Sequence, residues 1–171
     1  MAWIAILCLA LQQDSTKKSL EGRVEIDKKD IAFDDGDTIL HKGVEVRILG
    51  FDTPETIHEK HGIFVDQPMG PEASKRTKEL IEGAKKVYLT ESGEKDKYGR
   101  ILAHVWIDDK LLGEYLLGEG LAYESITFYG DNGRPEIANR LLLAALKAYK
   151  DGKAPKFQEP YLWRKENQKK P

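Results

Sequence analysis

Two acidic clusters, Asp34-Asp35-Gly36-Asp37 and Asp52-Thr53-Pro54-Glu55, flank a short turn at His41-Lys42-Gly43, and Arg47 stands between them inside the apolar run Val46–Leu49. If residues 37–40 and 44–49 pair as a hairpin about that turn, the start of the first strand lies beside the end of the second. The two clusters then meet. Carboxylates brought together repel unless a cation or a proton joins them, so the pair is a candidate site for a hard, oxygen-seeking ion. Each cluster alone says less. The first also reads as a polar turn with Gly36 at positive φ, the second as a turn and helix start. An EF-hand is excluded, because the residues five and three before Gly36 are Ile31 and Phe33 rather than acidic.

Arg47 has two readings at this stage: structural ion-pair partner of those carboxylates, or holder of an anion beside the ion. Arginine suits phosphate because its planar fork donates two hydrogen bonds and stays charged. A second arginine, Arg100, closes the turn Asp96-Lys97-Tyr98-Gly99 and leads into the apolar run Ile101–Ile107. Two arginines, a carboxylate-bound cation and a spare carboxylate suffice to hydrolyse a phosphodiester. The cation and the arginines neutralise charge growing on the phosphoryl oxygens, and the spare carboxylate orients or deprotonates water. Zinc chemistry is disfavoured. His58 and His61 are spaced one residue short of the helical H-E-x-x-H pair, with no cysteine or clear third ligand. His104 alternates with Leu102 and Trp106 and reads as a strand residue rather than a catalyst.

The elements that must position these groups are short. Alternating segments at 22–26, 37–40, 44–49, 86–91 and 101–107 read as about five strands. Helices are predicted from Gly70-Pro71-Glu72 to Gly83, across 111–120 to Gly120, and from Pro135 to near Gly152. Five strands with a helix between the third and fourth make a small Greek-key barrel of the OB type a natural candidate, mainly β with helices and α+β in class. At 171 residues, with 40% apolar and 33% charged residues, the chain suits one soluble domain and not wholesale disorder. A net charge of −2 gives no sign of a nucleic-acid partner, yet residues 147–171 carry eight Lys/Arg against three Asp/Glu, a local +5 against −7 elsewhere. That stretch, with two internal prolines and no apolar period, reads as an irregular, solvated tail over 153–171, tacked down by Phe157, Leu162 or Trp163. Residues 1–13, opening with eleven uncharged and mainly apolar residues and ending polar, suit a secretory signal or anchor more than a buried strand. No Lys or Arg precedes the run, and the single cysteine, Cys8, lies within it. The folded domain is expected over 20–152, secreted or otherwise extracytoplasmic, with transient membrane contact possible only through the leader.

Five blocks, DDGDT, VRILGFDTPET, GPEASKRTKELIEGAKKV, DKYGRILAHVW and GEYLLGEGLA, occur in the order and approximate spacing of the staphylococcal nuclease (thermonuclease) family, over roughly Gly22 to Lys150. The chain therefore resembles that family. The resemblance implies a five-stranded OB-fold Greek-key barrel with three α-helices, and a calcium-dependent nuclease acting on single-stranded or locally melted DNA and RNA. Its products would carry a 3′-phosphate, formed by in-line attack of water. Asp37 and Asp52 would ligate Ca²⁺ together with the Thr53 carbonyl, with Asp35 in the outer shell. Glu55 would activate water, Arg47 and Arg100 would bind phosphate, and Lys97 and Tyr98 would flank it. No obligate protein partner is implied, and the chain would be a monomer. Two departures stand out. Where the family has two tyrosines lining the base pocket, this chain has Ile126 and Phe128, with Tyr129 one position late, so Phe128 and Tyr129 are the candidates for base contact. The segment 57–70 is also longer than its family counterpart. The rival reading is a non-catalytic OB-fold module that only binds nucleic acid or peptide. Loss of a metal carboxylate, of Glu55 or of either arginine would favour it, and none is lost.

Overall fold

The computed structural model describes residues 22–169, so the leader lies outside the described residues. Nine strands form: β1 (Val24–Ile26), β2 (Ile31–Phe33), β3 (Thr38–His41), β4 (Val44–Ile48), β5 (Phe51–Asp52), β6 (Val87–Lys95), β7 (Ile101–Ile107), β8 (Lys110–Leu111) and β9 (Tyr123–Glu124). The main sheet runs β1-β6-β7-β4-β3-β2, with β8 added to β7, and β5 pairs with β9 apart from it. All pairs are antiparallel except β4 with β7. This curled mixed sheet is the expected OB-type, α+β architecture. The five expected strands correspond to β1, β3, β4, β6 and β7. The four additional strands have only two or three residues each, too short for alternation to be read.

The β3–β4 hairpin turns through Lys42 and Gly43, both at positive φ, 52° and 78°. That is a two-residue primed turn, whose twist matches the flanking strands and fixes their register. One face of the sheet buries Ile39, Val46, Ile48, Leu89 and Val105, and three helices close over the core. They are α1 (Gly70–Gly83), α2 (Leu112–Glu119) and α3 (Pro135–Lys150), matching the three predicted spans. Apolar residues at helical spacing do the closing: Ile81 on α1, Leu112 and Leu116 on α2, and Ile137 and Leu141 on α3. His104 is buried in β7, 4% exposed.

The C-terminal stretch differs from expectation. Instead of an irregular solvated tail there is a further two-turn helix, α4 (Pro160–Asn167), with Pro160 in its first turn. Phe157 and Trp163 are buried, as two of the three expected anchors, while Leu162 is exposed. Two helical turns are too few to show a period in sequence, and α4 persists by docking its Trp163 face.

Candidate active site

The β3–β4 hairpin builds the site. Thr38 lies opposite Arg47, and the Ile48 N–H donates to the Asp37 carbonyl at 2.8 Å. Asp37 therefore enters β3 where β4 is about to leave, and β5 carries Asp52 back over the same end. The Thr53 N–H donates to Asp37 Oδ2 at 2.8 Å, joining the two acidic clusters as the hairpin reading requires. Gly36 serves this contact in a way the sequence reading did not foresee. It is absent from the positive-φ residues, and a Cβ there would sit 2.6 Å from Thr53 Oγ1. Close approach, not backbone handedness, requires the glycine.

Arg47 spans the two carboxylates, donating from Nη1 to Asp37 Oδ1 and from Nη2 to Asp52 Oδ1, the second at 2.5 Å. Asp37 and Asp52 are 1% and 5% exposed, so their charges need this compensation. Burial acts to raise Asp52, but the Arg47 and Arg164 guanidiniums outweigh it and hold its carboxyl below the ordinary range. Burial pushes Asp35 up despite Arg47, and Asp35 Oδ1 accepts from the Asp37 N–H at 3.0 Å, bracing the turn. Glu55 stands three residues after Asp52 on a backbone pinned by the fully buried Gln67. Its N–H donates to Gln67 Oε1 at 3.2 Å and its carbonyl accepts from the Gln67 N–H at 2.9 Å. Burial pushes the Glu55 carboxyl above its usual range against the pull of Arg164.

Arg164, on α4, was missed by the sequence reading. Its Nη2 donates to Asp52 Oδ2 at 2.7 Å and its Nη1 to Asp52 Oδ1 at 3.2 Å, and Nη1 also donates to Glu55 Oε1. Two signals pointed towards this region: the basic excess of the C-terminal stretch and the unusual length of the 57–70 loop. Neither singles out one residue.

Arg100 immediately precedes β7, two residues before Leu102, the parallel partner of Arg47, so the two arginines lie two residues apart along adjacent strands. Asp96 organises the intervening turn. Its side chain accepts from the N–H groups of Tyr98 and Arg100 at 2.9 and 3.0 Å and from Arg100 Nε at 2.7 Å. Lys97 and Arg100 both lie over the Tyr98 ring, and Tyr98 is largely exposed at the rim with His61 stacked on it. On the other side of Asp52 opens a cavity of about 230 Å³, lined by Asp52, Tyr123, Phe128, Tyr129 and Tyr161 among others. Phe128 and Tyr129 are thus at the pocket, whereas Ile126 packs against the core. Tyr161 comes from α4, with its ring 6.0 Å from Phe128.

Among the described residues no group of three or more His, Cys, Asp or Glu is arranged to hold a metal ion. The donor set is two buried carboxylates beside the Thr53 backbone, which fits a hard ion that completes its shell with water and phosphate oxygens. Two guanidinium forks on these oxygens show that the pair already collects positive charge.

Residues 45–154 match the family model described as staphylococcal nuclease homologue. Over 110 residues the chain is 46% identical to the endonuclease YncB of Bacillus subtilis, covering 58% of this chain and 51% of that protein. It is 41% identical over 92 residues to the thermonuclease of Staphylococcus hyicus, covering 52% and 53%, and 37% identical over 107 residues to that of Staphylococcus intermedius, covering 60% and 61%. The chain thus spans about half the length of these relatives. Asp37 and Arg164 both fall outside the residues matched by the family model.

Proposed function

The chain belongs to the staphylococcal nuclease family, and from that premise we propose that it is a calcium-dependent nuclease that hydrolyses phosphodiester bonds of DNA and RNA. The observation that carries this reading is the meeting of Asp37 and Asp52 on Arg47, with Glu55 beside Asp52. Asp37, Asp52 and the Thr53 carbonyl would hold calcium, with Asp35 in the outer shell. When bound, the ion supplies Lewis-acid neutralisation of a phosphoryl oxygen. Glu55 takes a proton from the attacking water, a task that suits a carboxyl raised by burial. Arg47 and Arg100 donate to the remaining phosphoryl oxygens, which gain charge as the bond to water forms. Lys97 and Tyr98 flank the phosphate at the rim. Phe128 and Tyr129 offer aromatic faces to a base in the cavity, which requires a single-stranded or locally melted substrate.

The water oxygen bonds to phosphorus and the bond to the 5′-oxygen breaks, leaving the 3′-phosphate on the upstream product. The test is end analysis of a cleaved, labelled oligonucleotide. Upstream products should resist polymerase extension until phosphatase treatment. Products extendable at once would reverse the assigned direction of attack. The enzyme acts as a monomer without an obligate protein partner. The apolar leader sends it out of the cytoplasm, which N-terminal sequencing of the exported form tests: the sequence should begin beyond residue 10. An intact chain confined to the cytosol would contradict export.

A further inference from the structure

We propose that Arg164 is a positioning residue of the hydrolytic site, setting the Glu55 carboxylate against Asp52, so that the C-terminal helix completes the active site. The inference rests on the nuclease reading above. A guanidinium fork has fixed geometry, so the residue that donates to both Asp52 oxygens and to Glu55 Oε1 dictates the separation of the metal carboxylate and the base. No other side chain described bonds to both.

The helix that carries Arg164 is anchored at both ends to the segment around the site. Gln67, which pins the Glu55 backbone, donates from Nε2 to the Gln158 carbonyl. At the far end the Lys169 N–H donates to the Gly62 carbonyl at 2.9 Å, and Gln168 Nε2 to the His61 carbonyl at 2.8 Å. The long 57–70 loop is therefore the seat of α4. A Cβ at Gly62 would lie 2.1 Å from the Lys169 carbonyl oxygen, so this seat tolerates no side chain there. A plug that occupied the ion's place and swung out on calcium binding would have to break these bonds. A brace keeps them.

The experiment compares full-length wild type, Arg164→Ala and Arg164→Lys, with Gly62→Val as a variant that unseats α4 without touching the site. Readouts are kcat and KM at saturating calcium, calcium affinity by calorimetry without substrate, and circular dichroism. Loss of a group that orients a metal ligand typically costs about 10- to 100-fold. Arg164→Ala should lower kcat by that order, with KM for the oligonucleotide little changed and the fold kept. Arg164→Lys should recover part of the loss, because one ammonium can serve Glu55 or Asp52 but not hold both in plane. Gly62→Val should lower kcat in the same sense. If Arg164→Ala fails to fold, Arg164→Lys and Gly62→Val carry the test alone. A kcat unchanged or raised in the folded variants, or calcium bound more than about ten-fold tighter by Arg164→Ala, overturns the brace in favour of a plug. A wild type that does not cleave overturns the nuclease reading and this proposal together, whereas an active wild type with equally active variants overturns only the proposal.

Discussion

At the residue scale, the proposed reaction gives Glu55, Arg47 and Arg100 separable roles. Glu55→Gln keeps the hydrogen-bonding shape but cannot accept a proton, so kcat should fall by about 10²-fold or more with the fold intact. Full turnover in that variant would remove Glu55 as the base. Arg47 is both a phosphate donor in the proposed reaction and the partner of buried Asp37. Arg47→Ala should therefore lower stability by about 3–5 kcal/mol in urea unfolding, as for any broken buried pair, and calcium should restore part of the loss by binding the orphaned carboxylates. Arg100 is paired with Asp96, which is less buried than Asp37, so Arg100→Ala should cost less stability than Arg47→Ala. Its kcat should still drop by about 10²-fold. Stability losses of equal size in both variants would contradict this division. Arg47 and Glu55 were legible because residue type and a short hairpin suffice to bring the two acidic clusters together, whereas Arg100 lies on a separate turn and was read from residue type and the family resemblance. Arg164 was hidden because its contact spans 112 residues to Asp52 and depends on how a docked helix turns.

Elements show the same contrast between local and tertiary causes. β3, β4, β6 and β7 and the three longer helices were legible from alternation, a primed turn and the Pro and Gly signals at helix ends. β5, β9 and α4 were not, since each exists only by pairing or packing with a distant segment: Asp52 opposite Tyr123, Trp163 in the core margin. Alignment placed Ile126 where a base-stacking residue was expected, yet the helical turn Ile126–Tyr129 directs Phe128 and Tyr129 to the cavity and Ile126 inward. Helix α4 adds Tyr161 to the same wall. Stacking on an aromatic face is worth about 1–3 kcal/mol per base, so Tyr161→Ala should weaken binding of a short single-stranded oligonucleotide by roughly ten-fold while kcat holds. Unaltered affinity would place the base elsewhere.

At the scale of the whole molecule, stability should depend on pH through His104. Burial lowers its pKa from 6.5 to about 4, so between these values the unfolded chain binds a proton that the folded barrel refuses. The stabilising effect of the neutral ring is complete above pH 6.5 and fades as pH falls towards 4. The stability difference between wild type and His104→Asn should therefore fall by about 2 kcal/mol between pH 7 and 5, a comparison that cancels Asp35 and Glu55, which burial shifts the other way. A difference that stays constant over this range would show that His104 takes up its proton in the folded state as readily as in the unfolded one. Arg164, from the basic C-terminal stretch, joins Arg47 on the buried Asp52 carboxylate, and the two guanidiniums together hold its pKa down against burial. The proposed hydrolysis depends on the Asp37 and Asp52 carboxylates serving a cation. Its most direct test is the cleavage of single-stranded DNA by the purified full chain in excess chelator and then with calcium restored. Cleavage should stop with chelator and return with calcium, and undiminished cleavage in excess chelator would contradict it.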